Sequence, residues 1–117
     1  MSDTSQLDET CPMGMAIKAL GGKWKLAIVW RLSRREARFN ELQRLLGGVT
    51  HKILGQQLKE MEADGLVARQ AYPESPPRVV YSLTETGRSL APLLDAMCDW
   101  GRGYLECRNG FAKIAAG

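Results

Sequence analysis

A chain of 117 residues has room for one domain-sized core and not for two independent ones. With 44% hydrophobic and 25% charged residues it has a globular composition, and no apolar run approaches the roughly 18 residues that a membrane-crossing helix needs. The net charge of +3 is modest but unevenly placed: Lys23, Lys25, Arg31, Arg34, Arg35 and Arg38 crowd one stretch against Glu36 alone, whereas the first ten residues carry Asp3, Asp8 and Glu9 and no basic side chain.

That polar, acidic start is the opposite of a signal or transit peptide, so a cytoplasmic location with no membrane partner is expected, and residues 1–10 read as a disordered leader. Cys11, Cys98 and Cys107 are widely spaced, form no CxxC, and are accompanied by a single histidine. Neither a zinc site nor an internal disulfide framework is supported, and no cofactor is implied. Pro12 suits the first position of a helix over 12–20, with Cys11 as its N-cap and Met13, Ile17 and Leu20 as its apolar side. Gly21-Gly22 ends it, and a second helix over 23–33 carries an apolar set, Trp24, Leu26, Ile28, Val29 and Leu32, too wide for a surface helix.

Residues 34–38 read as a turn with a very short strand, and Asn40 as the cap of a helix over 41–46 that turns Leu42, Leu45 and Leu46 inward. Gly47-Gly48 then turns the chain into the stretch on which the rest depends, residues 50–65. Thr50 is a good N-cap, Gly65 a good left-handed stop, and Leu54, Leu58 and Met61 form one buried stripe between them. The opposite side carries His51, Lys52, Gly55, Gln56 and Lys59, with Gln57 at its margin, while Glu60, Glu62 and Asp64 are held back to the last turns. Groups able to meet phosphates or base edges therefore crowd the end where the helix dipole is positive. A short helix, a tight turn and a capped amphipathic helix make the helix-turn-helix layout, which presents its second helix to the major groove.

Residues 66–72 and 78–83 are rich in Val, Tyr and Leu, and the five residues between them include three prolines, so they read as a β-hairpin with a stiff tip. A hairpin directly after the reading helix is a wing, and Arg69 and Arg78 are its natural DNA contacts. Thr84 caps a long helix over 85–108. Its stripe of Leu90, Leu93, Leu94, Met97, Trp100, Gly101, Tyr104, Leu105 and Cys107 exceeds what a small core absorbs, which points to a partner surface. Residues 109–117 are small and weakly patterned, and fraying is expected there. The fold class is mainly α with a small β-hairpin wing, and the domain spans 11–108.

In order along the chain, Cys11-Pro12, Gly21-Gly22-Lys23-Trp24, Arg38-Phe39-Asn40-Glu41-Leu42, Gln56-Gln57-Leu58, Asp64-Gly65-Leu66-Val67, Pro76-Pro77-Arg78-Val79-Val80-Tyr81-Ser82-Leu83-Thr84 and Trp100-Gly101 resemble the HxlR-type branch of the MarR-like winged helix-turn-helix transcription regulators. The resemblance runs from Cys11 to about Glu106. It implies a homodimer without catalytic activity, paired through its N- and C-terminal helices, that binds a palindromic operator in double-stranded DNA. It departs from the pattern at Gly55, where Thr or Ser is usual, and at Gly103, where a longer polar residue is commoner.

On this reading Thr50, His51, Lys52, Gln56, Gln57 and Lys59 face DNA from the reading helix, Arg78 from the wing, and Lys23, Lys25 and Arg38 hold phosphates. The family's oxidant, quinone or aldehyde sensing maps onto Cys11, and a helix N-cap is where a thiolate is stabilised. If the first helix packs on the last helix of the other protomer, Cys11 meets Cys107 of the partner subunit. Cys98 reads as core packing. Two alternatives stay open: a reversible small-molecule effector in a pocket lined by Trp24, Met97, Trp100 and Tyr104, and a thiol oxidoreductase, which lacks CxxC, a second histidine and a phosphate loop.

Overall fold

The structure is a computed structural model that describes residues 10–116, the last seven by their backbone alone. The elements are α1 Pro12–Leu20, α2 Lys25–Arg34, α3 Phe39–Leu46, α4 His51–Ala63, β1 Val67–Tyr72, β2 Arg78–Leu83, α5 Glu85–Arg88 and α6 Ala91–Ala116. All but Thr10 of the expected leader lies outside the described residues.

One core joins α2, α3, α4 and the hairpin. Ile28, Val29 and Leu32 of α2 meet Leu42 of α3, Leu54, Leu58 and Met61 of α4, and Val67, Tyr81 and Leu83 of the strands. Burial of each such side chain stabilises the domain by about 1.5–3 kcal/mol, an upper estimate for an extended reference chain. β1 and β2 pair antiparallel from Val67 opposite Leu83 to Tyr72 opposite Arg78. The short strand expected after α2 is a single bridge, in which Ala37 and Tyr81 exchange both backbone hydrogen bonds at 2.8 and 3.0 Å on the free edge of β2.

Four expectations are corrected. The cap of α3 is Arg38, not Asn40: its backbone N–H donates to a Glu41 carboxylate oxygen at 3.0 Å, so the glutamate reaches back and the helix starts at Phe39. Leu45 is 45% exposed, because the inward side of so short a helix is filled by Leu42, with Leu46 at its edge. Met13 and Ile17 of α1 are also exposed, and only Leu20 of that apolar side joins the core.

The long last helix is two. A helix running through residue 92 needs its N–H bonded to the carbonyl of Arg88, and Pro92 has no N–H and a ring that crowds that carbonyl. The chain therefore leaves the helix at Ser89 and restarts at Ala91, placing Pro92 in a first turn where no donor is needed. α5 lies close on the hairpin, and a Cβ at Gly87 would run into the carbonyl oxygen of Leu66. α6 then continues helical to Ala116, past the end of its apolar stripe, through a segment whose Ala112, Ala115 and Ala116 have high helix propensity.

Candidate nucleic-acid interface

The α3–turn–α4 unit is held by local bonds. Gly47 and Gly48 both take positive φ, which lets the chain reverse between the helices. The Gln43 side-chain amide donates to the Val49 carbonyl at 3.1 Å across that turn. Thr50 Oγ1 accepts from the Ile53 N–H at 3.1 Å, the N-cap bond its position demands, and is worth about 1 kcal/mol. At the other end Gly65, at φ 77°, donates to the Glu62 carbonyl while the Leu66 N–H donates to that of Met61, a Schellman closure.

Between these caps Leu54, Leu58 and Met61 are buried, and His51, Lys52, Gln56 and Lys59 are exposed on the side away from the core, with Gln57 half-buried at the margin. A Cβ at Gly55 would meet nothing, so the glycine leaves a gap in the outward surface rather than relieving a clash. The oxygen of Thr50 is spent on the cap, so toward a phosphate it offers only its hydroxyl hydrogen.

His51 and Arg38 are brought together in a cleft of about 480 Å³ between the starts of α3 and α4 and the base of β2, lined also by Phe39, Asn40, Arg44, Pro77 and Val79. The imidazole packs on Phe39, ring centroids 4.4 Å apart, and Phe39 lies 6.4 Å from Tyr81. Arg44 was missed from the sequence, although it lies in the exposed row of α3 that Leu42 leaves free. The Glu41 carboxyl, beside this cleft, is held below its ordinary value of 4.5, first by the Arg38 backbone N–H and then by the charges of Arg35, Arg38 and Arg44.

The wing is braced from within. Arg78 lies 4.1 Å over the Tyr72 ring, and its guanidinium donates twice to a Glu74 carboxylate oxygen at 3.0 and 3.2 Å. Its charge is thus already engaged, and Arg69 is the exposed cation on β1. Lys23 is exposed, with its ammonium 4.9 Å from the Trp24 ring.

Lys25 departs from the expectation. It is only 7% exposed, and its ammonium is paired at 2.7 Å with Glu60 of α4, so it is not available to hold a phosphate. Nor do the four expected pocket residues share a site. Trp24 packs against the core at the start of α2. Met97 lines a groove with Leu26, Ala27, Trp30, Leu94 and Cys98, and Trp100 stacks on Tyr104 farther along α6, with ring centroids 4.9 Å apart. Cys98 is half-buried at that groove rather than in the core, Cys11 is half-buried at the cap of α1, and Cys107 is exposed; all three are free thiols.

Of the stripe on α6, only Leu94 is fully buried; Leu93, Met97, Trp100, Tyr104 and Leu105 remain 43–69% exposed. No helix among the described residues is long and apolar enough to cross a membrane.

Residues 19–109 match the HxlR-like helix-turn-helix family model. The chain is 48% identical over 91 residues to the HTH-type transcriptional regulator BH0655 of Halalkalibacterium halodurans, covering 77% of this chain and 80% of that one. Among solved structures it superposes on the redox regulator HypR in its oxidized form with a TM-score of 0.76 at 42% identity, covering 80% of this chain and 96% of HypR. The reduced form of the transcriptional regulator YodB from B. subtilis matches with a TM-score of 0.70 at 36% identity, covering 77% and 89%.

Proposed function

The chain belongs to the HxlR-like helix-turn-helix family of transcriptional regulators, and from that premise we propose that it acts as a homodimer that binds a palindromic operator with α4 in the major groove and is switched by oxidation or electrophile modification of Cys11. The observation that carries the DNA reading is the outward side of α4. His51, Lys52, Gln56 and Lys59 are all exposed there, backed by a fully buried stripe and fixed by a cap at each end. A side chain presented by a rigid helix is held more precisely for base-edge contact than one on a loose segment. Gln56 is the base-reading candidate, with Lys52 beside it in the groove. Lys23, Arg38 and Arg44 lie on flanking elements where phosphates pass, and the cleft at His51 is open to the backbone.

The exposed row on α6 and the exposed Met13 and Ile17 of α1 support pairing with a second copy, since one protomer leaves both apolar surfaces in water. Two-fold pairing sets two reading helices about 34 to 36 Å apart, the spacing of successive major grooves. Packing of α1 on the other protomer's α6 brings Cys11 toward Cys107 of the partner subunit. Two thiols then yield one disulfide, passing two electrons and two protons to the oxidant. The redox character of HypR supports carrying this switch over.

A second reading, a reversible effector, is favoured by the groove between α2 and α6, which is apolar and reaches Cys98 at its edge.

The deciding experiment is a fluorescence-anisotropy titration on the DNA upstream of the protein's own gene, reduced and then treated with diamide, with Cys11→Ser alongside. Binding lost on oxidation and kept in the variant is the expected result. Binding indifferent to oxidant transfers the switch to the effector groove, and no binding at any salt removes the DNA reading.

A further inference from the structure

We infer that Lys25 is a positioning residue for DNA recognition: it sets the reading helix through Glu60 rather than touching a phosphate. The inference rests on the DNA-binding reading above.

Lys25 is the first residue of α2 and is 7% exposed; its Nζ lies 2.7 Å from a Glu60 carboxylate oxygen. Glu60 keeps 55% of its side chain exposed. The helical repeat places Lys52, Gln56 and Glu60 in one row along α4, so the pair ties the start of α2 to the same row that carries the candidate base-reading amide.

The chemistry makes the tie directional. A buried ammonium left without its carboxylate partner costs free energy, so a rotation of α4 that withdrew Glu60 would strand Lys25. Leu54, Leu58 and Met61 on the other side of the helix attract the core without selecting one rotation so sharply, because apolar contact has no direction. The pair also neutralises a carboxylate that would otherwise stand unpaired in a row facing polyanionic DNA.

Electrostatics alone and positioning predict opposite signs for one substitution. If Glu60 were simply an acidic group near DNA, Glu60→Gln would strengthen binding. As the partner that sets α4, its loss weakens binding to the operator despite the removed negative charge.

The test uses the full chain as wild type, Lys25→Met, Glu60→Gln and the double variant. Each is titrated against the operator fragment and a scrambled duplex of equal length between roughly 50 and 200 mM salt. The expected result is a drop of about tenfold in the operator-to-scrambled affinity ratio for each single variant, with the double variant no worse than Lys25→Met, the non-additivity of a coupled pair. The salt slope on scrambled DNA stays as in wild type.

A salt slope lowered by about one in Lys25→Met, with the affinity ratio unchanged, would make Lys25 a phosphate contact and overturn the inference. So would stronger operator binding by Glu60→Gln, or a lowered urea midpoint with an unchanged ratio, the mark of a purely structural pair. Glu60→Gln leaves an unpaired buried ammonium; if it fails to fold, Lys25→Met, whose thioether fills the space of the lysine stem, decides alone. Wild-type protein that binds neither duplex overturns the DNA reading itself, which separates that failure from this one.

Discussion

The Thr84 hydroxyl donates to the carbonyl oxygen of Gly65 at 2.6 Å, tying the stop of the reading helix to the start of α5. The same oxygen accepts from the Gly87 N–H at 3.0 Å as the N-cap of α5, so one side chain orients two elements. Thr84→Val keeps the shape and removes both bonds. The expected loss is about 1–2 kcal/mol in urea unfolding, with Thr84→Ser retaining most of it. A Thr84→Val midpoint equal to wild type would show that the bond is idle.

Gln56 and Arg78 are expected to fail differently. Gln56→Ala removes a base-edge partner, so preference among operator variants relaxes by about 1–3 kcal/mol at one base pair while binding to random DNA holds. Arg78 is stacked on Tyr72 and paired with Glu74, so Arg78→Ala loosens the wing and lowers affinity for every sequence alike. Anisotropy on a panel of single-base operator variants separates the two patterns. Unchanged affinity and preference in Gln56→Ala would mean that α4 does not read DNA with this row.

The exposed row of α6 makes a prediction independent of DNA. Trp100 is 69% exposed and Leu105 53%, so replacing both by Glu costs the protomer's own core little. In sedimentation velocity the wild type is expected as a dimer and Trp100→Glu/Leu105→Glu as a folded monomer. A variant that stays dimeric places the partner surface elsewhere.

Glu41 sets an acid response. Its folded-state value lies below 4.5 because the Arg38 N–H and the Arg35, Arg38 and Arg44 charges favour the carboxylate. A depressed carboxyl contributes stability that is fully present above its unfolded value and is lost as the pH falls through the lower folded one. Stability curves of wild type and Glu41→Gln are therefore expected to converge as the pH drops below 4.5 and to differ above it. Parallel curves down to pH 2 would remove Glu41 from the α3 cap.

How far the sequence could be read depended on how local each signal was. Thr50 and Gly65 mark the ends of α4 through bonds to residues within a few positions, and the period of Leu54, Leu58 and Met61 names its buried side, so the reading helix was legible to the residue. The prolines at the wing tip bounded β2 for the same reason. Pro92 was an equally local signal, and passing over it merged α5 and α6 into one helix. The N-cap of α3 was misplaced because Asn40 is the commoner capping type, whereas the bond made is from Glu41 back to the Arg38 backbone.

What no local rule contains is which distant groups meet. Lys25 reads as one more cation in a basic stretch until α4 is docked on the core and brings Glu60 to it. Arg38 and His51 become neighbours of Arg44 only where α3, α4 and β2 converge, and Met97 meets Leu26 and Trp30 only once α6 lies along α2. By itself the sequence determined the family, the element types and the outward row of α4, since caps and periodicity act over a few residues. The tertiary structure alone decided which charges are spent inside the domain and which remain exposed on its surface, because an ion pair between elements far apart in the chain exists only once apolar packing has set their distance.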